Sequence, residues 1–335
     1  MTYSLSTLLK KYNLRPRKGL GQNFLSDPYH LSKIIEAAEL SPTDTVLEIG
    51  PGPGTLTRLL AETAGHVIAV ELDPHMVNLL NNELGHLSNL TIIEADILKV
   101  EVVSLLSKVN SENPQTQNSA KGAQAKPETQ NTQKASTSKL KIQNSKFKTQ
   151  NSKLRQRHAS ETQNSKLETQ NYKAVANLPY YITSAVLRHL LEAPLKPQRL
   201  VVTVQKEVAQ RIVAGPGKMS LLAVSVQFYG QPVLVHRIPA GAFYPPPKVD
   251  SAVVRIDTYP QPAVDGVSVD LFFEVVKAGF GQKRKQLKNA LAAGLNRPVS
   301  EMAEIMNGVG IDPTRRAETL GLREWEQLAK KFASI

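Results

Sequence analysis

Cysteine is absent from the 335 residues. That removes disulfides, thiolate metal sites and any cysteine nucleophile, and it fits a reducing compartment without requiring one. Also missing is any run near the roughly 18 apolar residues that a membrane helix needs. No membrane partner is therefore expected, although hydrophobic residues make up 41% of the chain and can fill a sizeable core. The seven histidines are scattered without ligand spacing, which predicts no metal. The first 20 residues hold no acid, only Lys10, Lys11, Arg15, Arg17 and Lys18 as charged groups. A targeting peptide shares that bias, but "STLLKKYNLRPRKG" has no continuous apolar stretch and runs directly into sequence that reads as functional. A cytoplasmic protein is the expectation.

Acid is scarce overall, and the net charge is +12. The excess is unevenly placed: residues 104–171 carry +8 of it, with ten Lys and two Arg against four Glu. Global charge is thus weak evidence for a nucleic-acid partner, and local clusters are better evidence. One is the N-terminal set above; the other is Lys283, Arg284, Lys285 and Lys288. Either cluster alone reads equally well as a solvated face.

Residues 104–171 differ from everything around them. "TQN" recurs at 116, 129, 149, 162 and 169, and "SKL" or "SKF" at 138, 145, 152 and 165. This is a decayed tandem repeat. Leu140, Phe147 and Leu154 are seven apart, but a coiled coil needs two apolar positions per heptad and each heptad here offers one. Ser, Thr, Gln, Asn and Lys cannot bury enough surface to offset the entropy of ordering. The segment is expected to be a disordered insertion in a loop between two strands of one domain, where extra length costs little. A basic RNA tether is the functional alternative.

Three short apolar runs, "DTVLEIG", "HVIAVELD" and "NLTIIEAD", alternate with amphipathic stretches. That alternation predicts a parallel, doubly wound α/β sheet with its ligand at the carboxyl ends of the strands. The first turn spaces Glu48-x-Gly50-x-Gly52-x-Gly54, with Pro51 and Pro53 between. A pyrophosphate needs backbone N–H groups, and prolines have none. The turn suits an uncharged or zwitterionic group instead. Glu71 ends the second run, placed for a ribose diol, and Asp96 ends the third, placed for an adenine amino group. Together they point to S-adenosylmethionine, with a nicotinamide or flavin dinucleotide as the other reading.

A fourth run ends in "VANLPYYIT", residues 175–183. An exocyclic adenine amine is a poor nucleophile because its lone pair is delocalised into the ring. Two acceptors aimed at its hydrogens localise that pair: the Asn177 side-chain oxygen and the backbone carbonyl of residue 178. Pro179 fixes the chain so that the carbonyl points inward, and Tyr180 offers a face for the base. Catalysis would then be mostly positioning and preorganised dipoles. A plain proline turn with core tyrosines is the structural alternative.

With "GLGQNFL" (19–25), "EIGPGPGTLT" (48–57), "ANLPYYIT" (176–183), "QKEVAQRI" (205–212), "GAFYPPPKVDSAVV" (241–254) and "GFGQKRKQLKNAL" (279–291), the chain resembles the small-subunit ribosomal RNA adenine dimethyltransferases nearly throughout, except over 104–171. The resemblance implies a Rossmann-like class I methyltransferase domain over 1–258 and a small helical domain over 267–335. It implies that Asn23, Leu25, Gly50, Glu71, Asp96 and Asn177 line the cofactor site, and that Phe243 is a second aromatic wall for a flipped base. A base out of its stack needs π-faces, and "PPP" would hold Phe243 on a stiff segment.

The C-terminal patterns "LFFEVVKAGFGQKRKQLKNALAAG", "SEMAEIMNGVG" and "TRRAETLGLREWEQLAKKFA" predict helices, with Gly294 and Gly310 as stops. The first of these would present Lys283, Arg284, Lys285 and Lys288 as a basic face, which with Arg15 and Arg17 would contact RNA phosphates. The function expected is N6,N6-dimethylation of two neighbouring adenosines in small-subunit rRNA, on the immature 30S particle, by a monomer. The alternatives are a large-subunit rRNA adenine methylase of the macrolide-resistance type and a non-catalytic rRNA-binding assembly factor.

Overall fold

The computed structural model describes residues 4–112 and 172–335. The first segment starts with helix α1 (Leu5–Lys11) and the two-residue strand β1 (Phe24–Leu25). Helices α2 (Pro28–Ala38) and α4 (Pro74–Leu84) start the same way, on an Asp-Pro pair. Asp27 and Asp73 each accept a backbone N–H two residues on, and proline fills a first-turn position whose N–H would have no partner. Between and after them run β2 (Thr45–Ile49), α3 (Thr55–Thr63), β3 (His66–Glu71), β4 (Leu90–Glu94) and α5 (Val102–Glu112).

The second segment holds β5 (Tyr172–Asn177), α6 (Thr183–Leu191), β6 (Arg199–Gln205), α7 (Lys206–Ile212), α8 (Leu221–Tyr229), β7 (Gly230–Ile238), β8 (Phe243–Tyr244) and β9 (Ser251–Thr258). Helices α9 (Val269–Phe280), α10 (Leu287–Leu295), α11 (Val299–Gly308) and α12 (Leu322–Ala333) follow.

Seven strands form one sheet in the order β4-β3-β2-β5-β6-β9-β7. The first five are parallel; β9 and β7 are antiparallel. The inner strands are apolar on both faces, as burial under two helical layers requires. Val46, Val67, Val175 and Val201 face one layer with Ile34 of α2 and Leu60 of α3. Leu47, Ile68, Ala174 and Val202 face the other, in a cluster that runs on through α6 and α8 to Phe272, Leu291 and Trp325 of the C-terminal helices. Strand order reverses between β2 and β5, which places the ligand crevice at their carboxyl ends. The doubly wound expectation is met.

Three local expectations change. Residues 104–112 belong to α5, not to a loop, and Leu105 and Leu106 are buried in the core. Their apolar side chains supply the burial that orders the helix. The rest of the expected insertion, 113–171, lies outside the described residues. Gly294 does not stop a helix: it sits inside α10, where an added Cβ would lie 2.6 Å from that of Ala278. The stop is Asn296, in the left-handed conformation with φ 54°. Finally, Lys283, Arg284 and Lys285 sit on the exposed turn between α9 and α10, not on a helix face, and only Lys288 is helical. Gly310, with φ 74°, does follow the end of α11.

Candidate active site

A cavity of about 1070 Å³, counted to the solvent at its mouth, opens at the β2–β5 reversal. It brings together Asn23, Leu25, Gly50, Glu71, Asp96, Asn177, Pro179, Tyr180 and Phe243, every residue expected for cofactor and catalysis.

The floor is the glycine turn after β2. The Gly50 N–H donates to the Val70 carbonyl at 2.9 Å. Gly52 has φ 53°, and a Cβ there would lie 2.7 Å from the Phe24 ring, so the turn needs glycine for both conformation and close packing. Its N–H reaches the Glu71 Oε2 at 2.9 Å. The Glu71 Oε1 accepts the N–H groups of Leu72 and Asp73, each at 2.9 Å. Burial pushes the Glu71 carboxyl up from its ordinary value, and the bonds from Asp73, Gly52 and Leu72 oppose that. A carboxylate offers about four acceptor positions. Three are taken, and one on Oε2 remains for a ligand hydroxyl.

Asp96 lies two residues beyond the end of β4 rather than on it. Its Oδ1 accepts the Leu98 N–H at 3.1 Å and its Oδ2 meets Lys99 Nζ at 3.1 Å, so it caps the turn that follows and still faces the cavity.

Glu48, quoted in the turn spacing but not assigned a role there, is the acid that the motif reading missed. It is 1% exposed and lines the cavity. Its Oε2 has no hydrogen-bond partner among the described residues. Burial pushes its pKa up to about 8; the nearby Thr57 hydroxyl opposes the rise and the Glu71 charge adds a smaller push. The signal was available: an acid at a strand's last turn, directly before a glycine turn.

Three acids therefore line this cavity, and among the described residues no Lys, Arg or His does. A pyrophosphate would meet like charge and the prolines at 51 and 53, which excludes the dinucleotide reading. A ligand with positive charge and a ribose fits, and the unpartnered Glu48 oxygen is suited to the positive end of S-adenosylmethionine.

The N-terminal segment closes one side. Arg17 Nη1 and Gln22 Nε2 donate to Asp73 at 3.3 and 3.0 Å. Lys11 and Tyr12 both reach Glu83 of α4 at 2.6 Å. Leu5, Leu9, Phe24, Met76 and Leu79 form a small core beneath. Leu25 is 2% exposed, and its carbonyl accepts the Thr55 hydroxyl at 2.9 Å.

Across the cavity, Asn177 ends β5. Its Nδ2 donates to the Asn23 carbonyl at 3.2 Å, while Asn23 Nδ2 donates to the Gly21 carbonyl at 3.1 Å. With its amino group thus engaged, the Asn177 amide turns its oxygen to other donors. The Leu178 N–H donates to the Thr203 carbonyl at 3.3 Å. Pro179, at φ −55°, leads into one turn of 3₁₀ helix over Tyr180–Ile182. The Tyr180 hydroxyl bonds Ser251 Oγ at 2.7 Å, which fixes the ring; burial raises its pKa. Phe243 is held by strand pairing, with Leu25 opposite, rather than by the prolines alone.

The basic residues stand apart from this cavity. Arg15, Arg17, Lys283, Arg284 and Lys285 are all exposed, and none lines it. Arg17 has a second task in its bond to Asp73, whose side chain is 1% exposed. Among the described residues, no group of three or more metal-ligating side chains occurs, and no helix is long and apolar enough to cross a membrane.

Known proteins resemble this chain along almost all of its length. The model for the family "Ribosomal RNA adenine dimethylase" matches residues 13–333. A "Ribosomal RNA small subunit methyltransferase A" of Dehalococcoides mccartyi (strain CBDB1) is 43% identical over 326 residues, which covers 97% of this chain and 91% of that protein. One of Alkaliphilus metalliredigens is 34% identical, covering 98% and 95%. Among solved structures, the 23S rRNA methyltransferase ErmE aligns with TM-score 0.60 at 23% identity over 93% of this chain and all of that one. A dimethyladenosine transferase from Plasmodium falciparum aligns with TM-score 0.63 at 20% identity, covering 93% and 98%. These two show the shared fold. The match along nearly the whole chain, over the acid-lined cavity and its asparagine turn, assigns the protein to the ribosomal RNA adenine dimethylases, which transfer methyl groups from S-adenosylmethionine.

Proposed function

We propose that this chain dimethylates N6 of two adjacent adenosines in small-subunit (16S) ribosomal RNA, acting as a monomer on the immature particle in the cytoplasm. The observation that carries the site assignment is the Asn177 amide. It lines the same cavity as the acids and as Tyr180 and Phe243, with its NH₂ engaged by the Asn23 carbonyl.

When bound, S-adenosylmethionine supplies a methyl group on a cationic sulfur that leaves as a neutral thioether. The chain's own residues do the rest. Glu71 accepts a ribose hydroxyl on its remaining lone pair, and Asp96 accepts from the cofactor's adenine amine. Glu48 faces the positive end. Tyr180 and Phe243 hold the target base flat between them, because a flipped base has lost its stacking partners. Asn177 Oδ1 and the Leu178 carbonyl accept the two N–H bonds of the target amine. That would localise the nitrogen lone pair toward the methyl carbon; the new N–C bond would form as the S–C bond breaks, and the amine proton, acidic once that bond has formed, would pass to solvent without a strong base. Before the second transfer the amine has one N–H left, so one acceptor suffices. Arg15, Arg17, Lys283, Arg284 and Lys285 hold phosphates outside the cavity.

Methylation assays on immature small subunits and on naked large-subunit rRNA test the reading. Dimethyladenosine on the small subunit is expected. Methylation of large-subunit RNA alone would favour the resistance-type activity. Binding without methylation of either would favour a non-catalytic assembly factor.

A further inference from the structure

The "YY" pair at 180–181 sends its rings to different places. Tyr180 is half-buried and tied to Ser251. Tyr181 also lines the cavity, yet it is 63% exposed. Its ring is braced rather than loose. A Cβ on Gly21 would lie 3.2 Å from Tyr181 Cε1 and 3.3 Å from Cδ1, so the bare Gly21 backbone, at φ 61°, is what lets the ring rest there. Gly21 closes the turn over Lys18–Leu20 with its N–H on the Lys18 carbonyl at 3.0 Å. Arg17 and Lys18, at the start of that turn, are exposed. Neither lines the cavity, and Arg17 is held on Asp73; the mouth thus presents a braced aromatic face, open to solvent, resting on Gly21 a few residues along the chain from the exposed Lys18.

Flipping one adenosine out of an RNA strand strips its neighbours of a stacking partner. Enzymes that act on flipped bases set their sequence context through contacts to the flanking nucleotides. Exposed bases are taken up by aromatic faces with little regard to identity. We propose that Tyr181 is a stacking platform for the RNA base next to the target adenosine, with Lys18 at the neighbouring phosphate. Tyr181 is then a positioning residue. Tyr180 and Phe243 grip the reacting base, and Tyr181 sets the path of the strand on either side of it. The inference rests on the adenosine reading above and adds to it a second base-binding position outside the reaction pocket.

Steady-state methylation of immature small subunits by Tyr181→Ala, Tyr181→Phe and Tyr181→Leu tests this. Losing one stacked base weakens binding by about tenfold. Tyr181→Ala should raise KM for the particle by about that factor, with kcat falling less. Tyr181→Phe should restore KM, and Tyr181→Leu, apolar but without a π-face, should not. Calorimetry with S-adenosylhomocysteine should show cofactor affinity within about twofold of wild type for all three variants. Three results overturn the proposal: an unchanged KM for Tyr181→Ala, rescue by Tyr181→Leu as full as by Tyr181→Phe, or a loss of cofactor affinity that accounts for the whole effect. The last would make Tyr181 a cofactor wall. Failure of the adenosine reading looks different, because wild-type protein would then methylate no adenosine on the particle.

Discussion

The two sides of the cavity solve opposite problems. On the cofactor side the chain buries carboxyl groups: Glu48, Glu71 and Asp73 are each 7% exposed or less. Glu71 is held by three backbone N–H groups, Asp73 by Arg17 and Gln22, and Glu48 by little. On the base side the groups are neutral, and the polar ones are anchored at one end. Asn177 uses its amino group on Asn23, and Tyr180 uses its hydroxyl on Ser251. The first side recognises a cation with a ribose by electrostatics. The second holds a flat neutral base and aims dipoles at one nitrogen. Substitutions should therefore act on binding on one side and on rate on the other.

The largest effect is expected at Asn177. Its oxygen works mainly in the transition state, so Asn177→Ala should lower the single-turnover rate by about 10²–10³, on the scale of an oxyanion-hole donor. Cofactor affinity is measured in parallel, because Asn177 also borders that site. A wild-type rate at saturation would make the turn purely structural. Next comes Glu71→Ala, which should weaken cofactor binding by about 1.5–3 kcal/mol, the range for hydrogen bonds to a charged group. Unchanged affinity by calorimetry would remove Glu71 from ribose recognition. Tyr180→Ala and Phe243→Ala should each cost about 1–3 kcal/mol of stacking and blur the contrast, since a looser base both binds worse and reacts more slowly. A rate loss at either ring with full RNA affinity would assign it to alignment alone.

Glu48 sharpens the comparison through pH. Its folded-state pKa is raised to about 8, whereas an unfolded glutamate titrates near 4.3. Across that window the folded chain keeps a proton that the unfolded chain has lost. Stability contributed at low pH should therefore fall as pH rises, by up to about 1.4 kcal/mol per unit, and level off above about 8. Glu48→Gln keeps the shape without the titration, so its melting temperature should decline less between about pH 6 and 8. Parallel melting curves for the two proteins would show that Glu48 is already ionised. The smallest single-residue effects belong to Arg15, Arg17, Lys283, Arg284 and Lys285. Neutralising them together should flatten the salt dependence of RNA binding by roughly one log–log unit per contact. An unchanged slope would leave them as solvated charges.

Much of this site was legible before the fold was known, because its chemistry sits at strand ends. Gly50, Glu71 and Asn177 could be placed from an apolar run ending in a special residue, and the sheet brings those ends together. What local pattern could not show is pairing across the chain. Nothing near Asn177 announces Asn23 as its partner, 154 residues away. Nothing near Tyr180 announces Ser251, and β1 and β8 are too short to be seen as strands without each other. The basic C-terminal segment misled for a local reason. Its helical periodicity continues through Lys283–Lys285, but the chain turns there, and the Leu287 N–H starts the next helix on the Arg315 carbonyl at 2.6 Å. Gly294 misled because a glycine that ends a helix and one that admits a neighbouring helix look alike in sequence.

The most direct test of the account is mass mapping of small-subunit rRNA adenosines in cells with the gene intact, disrupted, and disrupted but supplied with wild-type or Asn177→Ala protein. The account predicts that N6,N6-dimethyladenosine disappears on disruption, returns with wild-type protein and stays absent with Asn177→Ala at equal protein level. Dimethyladenosine that persists after disruption, or that Asn177→Ala restores in full, would contradict it.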